Sequence, residues 1–190
     1  EHVYLQFVPQ PLQDVAVLLL DTGLRVGEAL ALQWGDVRLQ PAHGAKFGYL
    51  TVRDGKSRNA RRNVSLTARV SAMLGSRHST ATALWVFPGE TGKPFVGTSL
   101  NHQHQKVRKT MKLPADFVIH SLRHTMLTRL GEAGVDAFSI MRIAGHSSVT
   151  VSQRYVHPSP EALERAFEKL EQLNGTMGAD TVTGGFLHEP

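Results

Sequence analysis

His120-Ser121-Leu122-Arg123-His124, followed by Ala144-Gly145-His146 and then by Gln153-Arg154-Tyr155-Val156-His157, is the stretch on which the reading of this chain turns. Apolar residues recur around it at helical spacing. The pattern predicts a helix over Ser121–Ala133 with Ser121 as N-cap and Gly134 as its stop. A second helix is expected over Ala137–Ala144, closed by Gly145, and a short one over Val149–Tyr155, ended before Pro158. Two imidazoles and a guanidinium therefore fall just ahead of one tyrosine in a helical setting.

Outward from there the chain stays mostly helical. Thr98–Met111 reads as a basic helix, and Pro160–Leu173 as a last one with Leu163, Phe167 and Leu170 on one side. Residues 175–190 turn to Gly and Thr and read as a flexible tail. Toward the start, Pro11–Asp21 is helical, Gly23 breaks it, and Val26–Gln33 resumes as a short helix leading into an exit turn at Trp34-Gly35-Asp36-Val37. Tyr49–Arg53 alternates like a strand and pairs back onto Asn63–Leu66 through a hairpin loop, Asp54–Arg62. Thr67 caps a helix to about Arg77, and Leu84–Phe87 reads as a short strand. Tyr4 falls in a frayed start. The expected fold class is mainly α with a small antiparallel β-sheet (α+β), as one domain over residues 1–174.

The 190-residue chain carries no cysteine and a net charge of +5. Disulfides, thiolate catalysis and cysteine-based zinc sites are excluded together. No apolar run is long enough to cross a bilayer and no signal segment opens the chain, so a cytoplasmic protein without a membrane partner is expected. The positive charge is local: Arg53, Lys56, Arg58, Arg61 and Arg62 cluster in the hairpin, and Lys106, Arg108, Lys109 and Lys112 on the basic helix. Either these are solvated faces or they track the phosphates of a nucleic acid. A histidine metal site is disfavoured. His102 and His104 do not share a helix face, and no H-E-x-x-H glutamate lies between His120 and His124.

Each remaining residue has two readings. Arg25, between Gly23 and Gly27 among apolar neighbours, needs an anion: an internal partner such as Glu28 or Asp36, or a ligand phosphate. His120 and Arg123 can project from one helix face near its N-terminus. Lys56 is a DNA contact or, unlike an arginine, a general acid. His146 is a helix-end cap or a further donor. Tyr155 is a packed aromatic or a nucleophile whose only rivals are Tyr4 and Tyr49.

In this order the motifs resemble those of the tyrosine recombinase (phage integrase) family, in its catalytic domain. They run Thr22-Gly23-Leu24-Arg25-Val26-Gly27-Glu28 on to Trp34, Gly55-Lys56 to Arg61-Arg62-Asn63-Val64, His120-Ser121-Leu122-Arg123-His124-Thr125, Gly145-His146-Ser147-Ser148 and Arg154-Tyr155. The resemblance covers about Pro11–Leu173. It implies that Tyr155 attacks a DNA phosphate to give a 3′-phosphotyrosyl link, with Arg25, Arg123 and His146 gripping the phosphate. His120 would be the acid–base group near the tyrosine, and Lys56 would protonate the leaving 5′-oxygen. No metal, ATP or other cofactor is implied. The partners implied are double-stranded DNA, contacted by Arg53, Arg58, Arg61, Arg62, Lys106, Arg108 and Lys109, and further copies of the chain in a tetrameric synapse, engaged through the last helix. That helix is equally compatible with packing on its own domain. Family members carry an N-terminal core-binding domain, so the chain reads as a fragment that begins at the catalytic domain. Ser121 and Ser65 replace a frequent Asp and Pro; neither carries chemistry. The alternatives are a type IB topoisomerase-like nicking and rejoining enzyme, and a non-cleaving DNA-binding accessory protein on the same fold.

Overall fold

A computed structural model describes residues 1–53, 61–157 and 160–180. It falls into two compact units, residues 1–156 and 157–190.

The first unit is organised around α2 (Leu12–Thr22), in which Leu12, Val15, Ala16, Leu18, Leu19 and Leu20 are all buried. A helix apolar on most of its faces has to be enclosed. It packs against α1 (His2–Phe7), α3 (Val26–Leu30), α4 (Ala68–Ser79), α5 (Gly97–Thr110) and α6 (Ile119–Glu132). Enclosing each such aliphatic side chain contributes about 1.5–3 kcal/mol. Gly23 ends α2 in the left-handed region (φ 63°), and the chain turns there into the segment that carries Arg25.

The sheet has the antiparallel order β1 (Val37–Arg38), β2 (Tyr49–Val52), β3 (Arg62–Ser65), with Leu50 opposite Val64 and Val52 opposite Arg62. Thr67 caps α4 as expected, its Oγ1 accepting from the Val70 N–H at 3.3 Å. The sheet and helices form one core, from Tyr4 to Leu122. A second, smaller cluster joins α6 to α7 (Ala137–Ala144) and to the segment after α8 (Val149–Gln153); it contains Met126, Leu127, Ile140, Ala144 and Tyr155.

Several expectations need correction. The start of the chain is helical: Tyr4 is buried and its hydroxyl meets His104 Nδ1 at 2.6 Å, a partner 100 residues away. Leu84–Phe87 is an irregular crossing, joined to Gln33 by one isolated bridge at Trp85. The helix carrying His120 begins two residues before Ser121. Ser121 sits inside the first turn, where its Oγ accepts from the Val118 N–H at 3.2 Å. In the second unit, α9 runs Pro160–Asp180, past Asn174-Gly175 where the tail was expected to begin. Leu163, Phe167 and Leu170 are exposed along it.

Candidate active site

Four elements meet at the candidate site. The α2–α3 break supplies Arg25, α6 supplies His120, Arg123 and His124, the turn after α7 supplies His146, and the segment after α8 supplies Tyr155. Arg123 is the deepest, only 2% exposed. Its Nη1 donates to the Gly23 carbonyl and its Nη2 to the Ala144 carbonyl, the latter at 2.8 Å. Both acceptors are helix-end carbonyls that no intrahelical donor satisfies, so α2 and α7 hold the guanidinium between them. Among the described residues, these two bonds engage two of its five N–H groups.

Arg25 is pinned in the same way. Its Nη2 donates to the Gly145 carbonyl at 2.9 Å and its Nη1 to Glu28 Oε1 at 2.7 Å. The internal partner foreseen in Glu28 is therefore present, and the arginine's side chain still keeps 41% of its exposure. Gly145 is required twice over. Its φ is 65°, and a Cβ there would lie 2.5 Å from Arg62 Nη1.

Tyr155 is packed, and its hydroxyl is hydrogen-bonded. The residue is 8% exposed and belongs to the small core, while its hydroxyl meets His124 Nδ1 at 2.6 Å. The His146 ring stacks on the tyrosine at 6.3 Å between centroids, with its Nδ1 2.8 Å from the buried Ser152 Oγ. The neighbour that sequence reasoning passed over is His124. It lies one turn beyond His120 on the same face, which was visible; which of the two meets the phenol depends on where α8 delivers Tyr155. His120 packs edge-on against His124, with ring centroids 4.7 Å apart. Gly131 was missed as well: a Cβ on it would stand 1.7 Å from the Tyr155 carbonyl oxygen. A lone glycine inside a helical pattern was the available signal.

Burial and neighbouring positive charge dominate the electrostatics of the site. Burial, together with the charge of Arg25, brings Arg123 down to about 10. Burial and the surrounding arginines, Arg123 first, bring His146 down to about 4. His120 and His124 are lowered by desolvation and then by neighbouring positive charge, so all three imidazoles are neutral at pH 7. Burial raises Tyr155 against the opposing pull of Arg154 and Arg123.

The basic clusters separate on inspection. Arg62 is turned inward, 7% exposed at its side chain, donating to both Glu28 oxygens and, through Nε at 2.7 Å, to the Ile143 carbonyl. This corrects its expected place on a DNA-facing surface: a buried carboxylate beside β3 outweighs hydration. Arg53 pairs with the buried Asp36, and Arg61 Nε donates to the Arg53 carbonyl at 3.0 Å. Lys106 and Lys109 are exposed on α5. Arg108 donates to the Ala115 carbonyl and, with Asn101 and Gln105, lines a groove leading to His120. Lys56 and Arg58 lie outside the described residues. No helix among the described residues is long and apolar enough to cross a membrane.

A helical domain with a hairpin sheet, and a tyrosine hydroxyl set among histidines and pinned arginines, has the fold of a tyrosine recombinase catalytic domain. The chain belongs to the phage integrase family, which its residues 8–162 match. The tyrosine recombinase XerA of Thermococcus kodakarensis is 31% identical over 167 residues, which take in 86% of this chain and 57% of that protein. The tyrosine recombinase XerC of Pediococcus pentosaceus is 28% identical over 181 residues, 89% of this chain and 58% of that protein. This chain thus spans a little over half the length of these relatives. The integrase of transposon Tn1549, solved in complex with circular intermediate DNA, superposes with a TM-score of 0.71 at 21% identity, over 89% of this chain and 64% of that one.

Proposed function

We propose that this domain cleaves a DNA strand and rejoins it to another through a covalent bond between Tyr155 and the 3′-phosphate. The observation that carries the reading is the Tyr155 hydroxyl, held 2.6 Å from an imidazole nitrogen beside two carbonyl-pinned arginines. The phenolic oxygen attacks phosphorus, the bond from phosphorus to the 5′-oxygen breaks, and that oxygen takes up a proton. Reversal by a different 5′-hydroxyl joins new partners. The phosphotyrosyl ester retains the bond energy, so no ATP is consumed.

Arg25 and Arg123 hold the non-bridging oxygens, with donors aimed where negative charge develops. Neutral His146 adds a donor from Nε2 when Ser152 donates to Nδ1. These groups supply the charge that metal ions provide in other phosphoryl-transfer sites. Lys56 is the proton source for the 5′-oxygen that the family resemblance implies. The Tn1549 integrase seen on DNA supports duplex DNA as the substrate. Arg61, Lys106, Arg108 and Lys109 are the proposed phosphate contacts, and Arg53 joins them from its pair with Asp36. Leu163, Phe167 and Leu170, exposed on α9, are the proposed seat of a second copy in a synaptic assembly.

The test is a pool of nicked duplexes, randomised around the nick, at low ionic strength, where phosphate contacts bind most tightly. Cleavage just to the 5′ side of a nick in the same strand releases a short fragment bearing the new 5′-hydroxyl and strands the covalent complex. Protein carrying DNA on a denaturing gel is expected from wild type and not from Tyr155→Phe. Equal yields from the two, or none from wild type, would sink the reading.

A further inference from the structure

We propose that His124, rather than His120, is the catalytic residue that takes the proton of Tyr155 as the phenol attacks and returns it when the strand is rejoined; this rests on the reading above. Proton transfer needs donor and acceptor within hydrogen-bond reach. His124 Nδ1 is 2.6 Å from the hydroxyl, and the rings are tilted by 33° with centroids 5.9 Å apart. His120 meets the edge of His124 and has no contact with Tyr155 among the described residues. It stands instead at the end of the groove lined by Asn101, Gln105 and Arg108.

The step balances. The Nδ1 lone pair accepts the phenolic proton, giving an imidazolium, while the phenolic oxygen bonds to phosphorus and the 5′-oxygen departs with a proton from another donor. On rejoining, the incoming 5′-hydroxyl gives up its proton, and the imidazolium returns the first one to the departing phenolate.

The charged and titratable groups facing His124 are His120 and Arg123 on α6, and Arg154 and Tyr155 after α8. Desolvation, then Arg123 and Arg154, keep the imidazole neutral and able to accept, while burial keeps the proton on the phenol. Without an anion the transfer runs uphill, and the nucleophile rests. A phosphodiester seated on Arg123 and Arg25 brings one negative charge, rising toward two as the fifth bond forms. That charge offsets the arginines and stabilises an imidazolium beside them. The substrate therefore switches on its own nucleophile.

The test compares wild type, His124→Asn and His120→Asn on a duplex recovered from the nicked pool, made with either an ordinary 5′-oxygen or a sulfur at the leaving position. His124 is exposed and lies outside both core clusters, so asparagine there leaves the core untouched. Asparagine can accept a hydrogen bond from the phenol but cannot take its proton. His124→Asn is expected to slow cleavage by about 10²–10⁴-fold. The loss should shrink as the pH rises toward that of the phenol. Sulfur needs no acid to leave, so it should not rescue this variant, whereas it would rescue one lacking the acid. His120→Asn should keep the acidic limb of the pH profile. Cleavage by His124→Asn within about threefold of wild type, rescue by sulfur, or loss of the limb in His120→Asn alone would each overturn the assignment. An inert wild type would instead remove the reading beneath it.

Discussion

Glu28 and Arg62 form a buried, two-point ion pair: Oε2 accepts from Nη2 at 2.9 Å and Oε1 from Nη1 at 3.2 Å, with the side chains 9% and 7% exposed. The same carboxylate takes the Arg25 backbone N–H at 2.8 Å and its guanidinium at 2.7 Å, while Arg62 Nε reaches the Ile143 carbonyl. One carboxylate thus ties β3 and the end of α7 to the segment presenting Arg25. Removing one partner of a buried pair leaves the other uncompensated. Glu28→Ala is expected to lower stability by about 3–5 kcal/mol. Urea denaturation checks it; a loss below about 1 kcal/mol would show that Arg62 finds another counterion.

The same pair sets a pH dependence. Burial alone would raise Glu28, but the hydrogen bonds and charge of Arg62, with the Arg25 N–H, hold it below its ordinary value of 4.5. A carboxyl lowered on folding stabilises the fold above its unfolded value, and the contribution fades as pH falls through the lowered one. Wild type should therefore lose stability below about pH 4.5 more steeply than Glu28→Gln, whose amide does not titrate there. Parallel curves for the two proteins from pH 6 to 3 would contradict this.

What the sequence made legible follows from the range of the forces involved. Helical periodicity, the stops at Gly23 and Gly145 and the cap at Thr67 are local, and each was readable. The inward turn of Arg62 was hidden, because Glu28 lies 34 residues away and nothing in Arg61-Arg62 distinguishes one side chain from the other. Tyr4 looked frayed because its partner is 100 residues distant. The choice between His120 and His124 was hidden for the same reason: their shared face is a helical regularity, but the position of Tyr155 is a product of packing in the second core. Two residues of β1 are too few for an alternation to register.

Tyr4 and His104 give a prediction on that long-range link. His104 Nε2 lies 2.8 Å from the Phe117 carbonyl, which only accepts, so that nitrogen carries the proton and Nδ1 accepts from the Tyr4 hydroxyl. Tyr4→Phe removes the donor and leaves a buried acceptor unpaired, at a cost of about 1–3 kcal/mol. Hydrogen exchange in α1 should accelerate with it. An unchanged denaturation midpoint would mean that water replaces the hydroxyl.

Gly131 brings α6 against the backbone of Tyr155. Alanine is ordinarily favoured over glycine inside a helix by about 1 kcal/mol. Here the added carbon would lie 1.7 Å from the Tyr155 carbonyl oxygen and 2.7 Å from its carbon, so the segment must move. Gly131→Ala should destabilise by about 1–3 kcal/mol, as overpacking does. Covalent trapping should fall further than that loss explains, since the hydroxyl would leave His124. Gly27→Ala is the control, because nothing lies within 4 Å of a carbon added there. If both variants are neutral in stability and trapping, α6 yields freely and Gly131 does not position the tyrosine.

The positive charge that burial and Arg25 disfavour at Arg123 predicts coupled binding of an anion and a proton. With Arg123 at about 10 and His146 at about 4, both cations are disfavoured in the free site by burial and by one another's neighbours. A phosphate seated among them favours the charged forms, so the His146 value must rise on binding. By linkage, the anion must then bind more tightly as the pH falls toward that value. Inorganic phosphate at ten times its dissociation constant should add about 1.4 kcal/mol of stability. Sodium chloride at matched ionic strength should not. Arg123→Lys should abolish the effect, since an ammonium cannot span the Gly23 and Ala144 carbonyls and still face a ligand. Histidine NMR titration with and without phosphate reads the shift directly. A His146 value unmoved by saturating phosphate would mean that the anion seat lies elsewhere.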